Sequence, residues 1–521
     1  MKSASPDRIL HNAKVITINS EQEFAEMIAI KNGLITYVGK EDSRLLDRCS
    51  DCWDLEGRAV VPGFIDLHTH LWAEADKIFF DLGSATKLSQ ALNLLTHEVS
   101  SRPAGEWIFA KNWDESNWTD EQRFLNRKDL DAISEDHCIY ASREDGHLVA
   151  VNSAAFAALN IPPSHTGLDK DAAGNPTGIL KDVWVDVTPY FKDRLPDNIL
   201  AGCKIALSKG ITSVVDNLKI TAEGQSDIIR AYMALDRQNK VPIRIFLNFR
   251  YSFIQNFAQL GILNHWGSSK LHVSGFKGFY DGAIGAQTAL LMEKYVDHET
   301  KGDRFADPKE LVKEIELAEK NNYTVCIHAI GDQAIEELLD CYETALKNVG
   351  KQKTENRHRI EHAEMISADQ IKRATRLGIW LSMQPNFLKW QQPDGLYEKR
   401  LGKTRFLHLN PFRLILNIGG FLAFGSDNMP LGPLYGIGQA ATFPSEEVQI
   451  SVEEAIHCYS LNPAKALFMD HKIGSIETNK SADLVILSRS PLDVKPESMY
   501  KIDVEFTLVD GLTVYSQERD H

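Results

Sequence analysis

From about residue 205 the chain repeats one alternation. Short apolar runs, GITSVVD, VPIRIFLNF, FKGFYDG, YTVCIHAIGD, HRIEHAE, GIWLSMQP and FLAFGSD, are separated by helix-period stretches such as PKELVKEIELAEK. Strand, helix, strand, repeated, specifies a parallel α/β sheet, because parallel neighbours need a crossover connection where antiparallel ones need only a turn. Counting the earlier VVPGFID as the first strand gives eight, enough to close a (β/α)₈ TIM barrel with its active site at the C-terminal strand ends.

The two ends of the chain read differently. AKVITINS and EMIAIKNGLITYVGK at the start, and SADLVILS and VEFTLVDGLTVYS at the finish, are β-branched runs, with Asn32-Gly33 and Asp510-Gly511 as hairpin turns. With 521 residues the chain exceeds one ordinary core. The expected organisation is a composite small β-domain from both termini (1–60 plus 470–521), the barrel (61–71 plus 201–469), and an α/β insertion after the first barrel strand (72–200) covering the active site. EWIFAKN and CIYASR are strand-like segments of that insertion.

Composition narrows the function. A formal charge of −15 argues against nucleic acid as a main partner, since phosphate binding needs clustered Lys and Arg. MKSASPDRIL lacks the apolar stretch of a secretion signal and no run reaches the ~18 apolar residues of a membrane helix, so a cytoplasmic protein is expected. Seven scattered cysteines exclude a complete intramolecular disulfide framework. The lone Cys49-x-x-Cys52 has no second half to complete a zinc site.

Chemistry concentrates at the strand ends. In VVPGFIDLHTH, His68 and His70 are i and i+2, so an extended strand aims both imidazoles to one side while Thr69 faces away. Lys277 lies on the fourth strand, His328 ends the fifth, His362 the sixth, and Asp427 the eighth. Thirty-four residues separate His328 from His362, about one strand-helix unit. A buried hydrogen-bonded His or a turn Asp explains any one of these alone. Together at one barrel mouth they form a metal site. For Lys277, burial favours the neutral amine, which can add carbon dioxide to give a bridging carbamate; the alternative is a Lys pairing with Asp281 outside the strand.

PGFIDLHTH, IHAIGD, RIEHAE, GSD and GSIETNKSADLVIL resemble motifs of the amidohydrolase superfamily, and NWDESNW and SREDGHLVAVNSAA are similar to segments of its amidohydrolase 3 group, which includes N-substituted formamide deformylase. The resemblance implies a (β/α)₈ barrel with a composite β-domain, metal or catalytic roles for His68, His70, His328, His362 and Asp427, and a carboxylated Lys277 bridging one or two divalent ions. Where relatives often have Glu, GILKD places Asp182.

The expected activity is metal-dependent hydrolysis of a C–N bond in an amide, N-formyl or cyclic amide substrate. Zinc would lower the pKa of its bound water from 15.7 to about 7, with Asp427 as proton shuttle. Deamination, lactone or ester hydrolysis share that chemistry, and a catalytically inactive binding or regulatory protein is the alternative of another class. Glu361 and Asp332 are candidates for orienting ligand rings. His147, Gln384 and Trp113 are the expected substrate contacts, the partner is a small molecule, and a homodimer is expected.

Overall fold

The computed structural model describes residues 5–75, 78–183, 185–218 and 222–517. Eight parallel strands form one sheet: β1 (Phe64–Thr69), β2 (Ile211–Asn217), β3 (Arg244–Arg250), β4 (Leu271–Phe279), β5 (Val325–Ala329), β6 (Arg359–His362), β7 (Trp380–Met383) and β8 (Phe421–Phe424). They lie in chain order, each paired with the next. Each expected run supplies one of these strands, except that VVPGFID divides: Val60–Pro62 belongs to a strand of another sheet and β1 begins at Phe64. β2, β5 and β6 are buried along their whole length, as expected for strands covered on both faces.

No ladder joins β8 to β1. Closure comes just past β8, where Asp427 N–H donates to the His68 carbonyl at 2.8 Å and Ser426 N–H to the Asp66 carboxylate at 2.9 Å. Gly425 permits this approach, because a Cβ there would sit 2.5 Å from the His68 amide nitrogen. These contacts bring Asp427 to the first strand's histidines across more than 350 residues of sequence.

Helices cover the outside of the barrel. The one before β7, Ala368–Leu377, shows the local logic: Ser367 caps it in a reciprocal box with Gln370, Ile371, Ala374 and Leu377 face the core, and Gly378 stops it at φ 78°. Outside the barrel, a six-stranded sheet takes strands from both ends of the chain. Ala59–Pro62, which leads into β1, pairs antiparallel with Leu484–Leu487. The Asn32-Gly33 and Asp510-Gly511 pairs each have two positive φ angles, the requirement of a tight hairpin turn. A second six-stranded sheet, drawn from the segment between Phe79 and Lys181, has its own apolar core containing Trp113 and Trp118. Among the described residues, no helix is long and apolar enough to cross a membrane, and all seven cysteines are free thiols.

Candidate metal centre

Every imidazole at the mouth spends one nitrogen on the protein. His68 Nδ1 is 2.6 Å from Glu361 Oε2, and the other oxygen of Glu361 accepts from Arg359 Nε at 2.9 Å. His68 Nε2 therefore faces the interior, 3.2 Å from Lys277 Nζ and 3.8 Å from Asp427 Oδ1. His70 Nδ1 donates to the Asn217 carbonyl at 3.0 Å and its Nε2 is 3.3 Å from Asp427 Oδ1. Thr69, between them, turns away to bond the Val215 carbonyl. His362 Nδ1 donates to Gln384 Oε1 at 2.7 Å, leaving Nε2 for the centre. His328 is reversed: its Nε2 donates to the Gly282 carbonyl at 3.0 Å, leaving Nδ1.

The rings crowd together, with centroids 4.8 Å apart for His68 and His362 and 4.5 Å for His328 and His362. His68, His362 and Asp427 each offer one ligand atom, all within 4.8 Å of one another. Burial holds the His68, His328 and His362 pKa values below that of a free imidazole, so these rings keep a lone pair at neutral pH. Burial also opposes ionisation of Asp427, but its electrostatic interactions with the surrounding His68, His70 and Lys277 outweigh it and hold the carboxyl below its usual range. Its Oδ1 is buried without a hydrogen-bond donor. Neutral imidazoles and an anionic oxygen converging on one space fit a divalent cation such as zinc. Lys277 points into the barrel beside them, and burial lowers its pKa. Asp281 does not pair with it: that carboxylate accepts the amides of Leu290, Ile330 and Gly331.

Residues 51–515 match the sequence model of the amidohydrolase family. The chain belongs to the amidohydrolase family. It is similar to Protein LONG AFTER FAR-RED 3 of Arabidopsis thaliana, 30% identical over 99% of this chain and 94% of that one. It is also similar to N-substituted formamide deformylase of Arthrobacter pascens, 25% identical over 98% of each. Among solved structures, an uncharacterised metal-dependent hydrolase from Pyrococcus horikoshii superposes with a TM-score of 0.73 at 25% identity, covering 94% of this chain and 99% of that one. The protein is thus a hydrolase acting on carbon–nitrogen bonds.

A cavity of about 920 Å³ opens from the centre of this amidohydrolase toward the 79–181 sheet, a size suited to a small-molecule substrate. His147 lines it. Its Nδ1 is 2.5 Å from Asp182 Oδ1, and although burial opposes the proton, Asp182 outweighs it and raises the His147 pKa. Two expected substrate contacts do not reach the cavity. Gln384 is wholly buried behind His362, where its amide oxygen fixes that ring. Trp113 is wholly buried in the insertion core, with its Nε1 donating to the Ala141 carbonyl. Glu361 orients a ring, but that of His68 rather than its sequence neighbour. Asp332 instead accepts the Met292 and Gln333 amides at a helix start.

Proposed function

We propose that this amidohydrolase cleaves the amide bond of a small N-acyl or N-formyl compound at a zinc centre held by His68, His70, His328, His362 and Asp427, with Lys277 as a carboxylated bridge. The observation carrying the reading is the convergence of His68, His362 and Asp427 within 4.8 Å, with a protein partner fixing each imidazole. When bound, the cation supplies an activated water and a Lewis acid for the carbonyl. The chain's own groups do the rest. Asp427, anionic at neutral pH, takes the proton of the attacking water and passes it to the leaving nitrogen. Glu361 and Gln384 lock the rings of His68 and His362. The neutral Lys277 amine adds to carbon dioxide with loss of a proton, giving an anionic oxygen donor beside His68 Nε2. The insertion covers the site and presents His147 to the substrate. Similarity to N-substituted formamide deformylase supports an N-formyl or N-acyl amine over a heterocycle.

The test reconstitutes purified protein with zinc and bicarbonate, counts the metal, and screens N-formyl, N-acyl and cyclic amides against an Asp427→Asn blank. At least one zinc per chain is expected, with turnover in the blank reduced on the order of 10²–10⁴-fold. Substoichiometric metal overturns the site, and full turnover by Asp427→Asn overturns the proton role.

A further inference from the structure

The seam between β8 and β1 is stitched by three successive residues, which meet alternate residues of β1 and its end. Ser426 N–H donates to the Asp66 carboxylate at 2.9 Å, and Asp427 N–H to the His68 carbonyl at 2.8 Å. At the third step the backbone turns away, because Asp427 and Asn428 both have left-handed φ angles, 52° and 61°. The stitch to His70 is therefore made by a side chain. Asn428 Oδ1 accepts the His70 N–H at 2.8 Å, and its Nδ2 lies 3.5 Å from the His70 carbonyl. A carboxamide carries an acceptor and a donor side by side, the pair needed to face the N–H and carbonyl of one residue. Nδ2 also donates to the Glu74 carboxylate. The carbonyls of Ala73 and Glu74 in turn accept Lys111 Nζ from the 79–181 sheet, the first at 3.1 Å.

Asp427 is held between these stitches, its Oδ1 3.8 Å from His68 Nε2 and 3.3 Å from His70 Nε2. Left-handed backbone is uncommon for residues other than glycine, so the contacts on either side keep the turn in place. Asn428 lines the cavity, yet its amide is engaged by His70 and Glu74 rather than directed at a substrate. We propose that Asn428, braced by Glu74, is the positioning residue of the proton shuttle: it fixes the Asp427 carboxylate against His70, where the attacking water loses its proton. Through Glu74 and Lys111 the insertion takes part in that alignment. The inference rests on the proposed amide hydrolysis and adds the residue that aims its acid–base group.

The test separates hydrogen bonding from backbone conformation. Asn428→Gly keeps the left-handed turn, since glycine adopts it freely, and removes only the carboxamide. Because a misplacement of about 1 Å costs on the order of 10²-fold in rate, kcat per bound zinc with N-formylbutylamine should fall at least about tenfold, while KM and zinc content stay as in wild type. Asn428→Asp sets a carboxylate against Glu74 and should fall at least as far. Adding Glu74→Gln restores a donor–acceptor pair with the roles exchanged and should recover most of the loss. A merely structural role would lower folded yield or zinc content and leave kcat per zinc unchanged. The second readout needs no turnover: crystals of zinc-loaded Asn428→Gly should show the separation of Asp427 Oδ1 from His70 Nε2 changed by about 1 Å relative to zinc-loaded wild type, and the double variant should return it. An unchanged kcat per zinc, an effect confined to KM, no recovery in the double variant, or an unmoved Asp427 overturns the positioning role while leaving amide hydrolysis intact. If wild type hydrolyses no amide, the proposed activity falls and the crystals alone decide the role of Asn428.

Discussion

At the residue scale, the centre is set by what each ring does with its second nitrogen. The sequence shows four histidines at strand ends but not these partners, since Glu361 lies 293 residues from His68, Asn217 lies 147 from His70, and Gln384 lies just past β7, 22 residues from His362. Gln384 and Trp113 read as pocket residues because position along a strand or loop does not show how deep a side chain sits. Lys277 carries a direct prediction. Its amine lies 3.2 Å from His68 Nε2 and burial favours its neutral form, the form that reacts with carbon dioxide. Lys277→Ala should lose zinc by about tenfold or more and lose activity with it, and short-chain carboxylic acids should restore part of both by supplying the missing oxygens. Failure of every such acid to rescue would favour an unmodified lysine.

At the element scale, the eight strands were legible because each is a short apolar run with a chemically distinctive end, and a parallel strand buried on both faces leaves little room for polar residues. The break between β8 and β1 was not legible, because it depends on Gly425 approaching His68 rather than on a ladder. One helix contact sets a pH response. Glu319, near the end of the Pro308–Asn321 helix, holds the segment entering β6: its carboxylate meets His358 Nε2 at 2.9 Å and Lys351 Nζ at 2.5 Å, and accepts from the Thr354 hydroxyl. Burial alone would raise its pKa, but these partners outweigh it and bring the carboxyl down from 4.5 to about 2. A carboxyl depressed in the folded state adds stability above its unfolded pKa and loses it as pH falls through the folded value. The contribution, on the order of 3 kcal/mol, should be complete above about pH 4.5 and gone near pH 2. Glu319→Gln should therefore be less stable than wild type in urea at pH 7, with the gap narrowing steadily as the pH falls across that window. A gap independent of pH would assign the loss to packing instead.

At the scale of the whole molecule, buried ion pairs fasten the barrel to what surrounds it. Arg143 of the 79–181 sheet is enclosed by Asp114, Glu115 and Asp145, and Asp114 also accepts the Trp390 indole N–H from the loop after β7, so that sheet is tied to the barrel's β7 loop. At the opposite end of the barrel, Arg244 opens β3 and is wholly buried against Asp483 and Asp510, next to the sheet strands from the chain's C-terminal end. Neither tie shows in sequence, since its members lie far apart and each reads alone as an ordinary surface charge. Removing one partner of a buried pair leaves the other charge stranded, at a cost of about 3–5 kcal/mol. Arg244→Ala should lower stability by that amount in urea unfolding, and Arg244→Leu combined with Asp483→Leu should lose less than the two single changes summed. Because Arg244 begins its strand and the histidines gather where strands end, the surviving folded fraction should bind zinc as wild type does. A zinc content that fell with stability would mean that the terminal sheet shapes the metal centre through the barrel rather than anchoring its base.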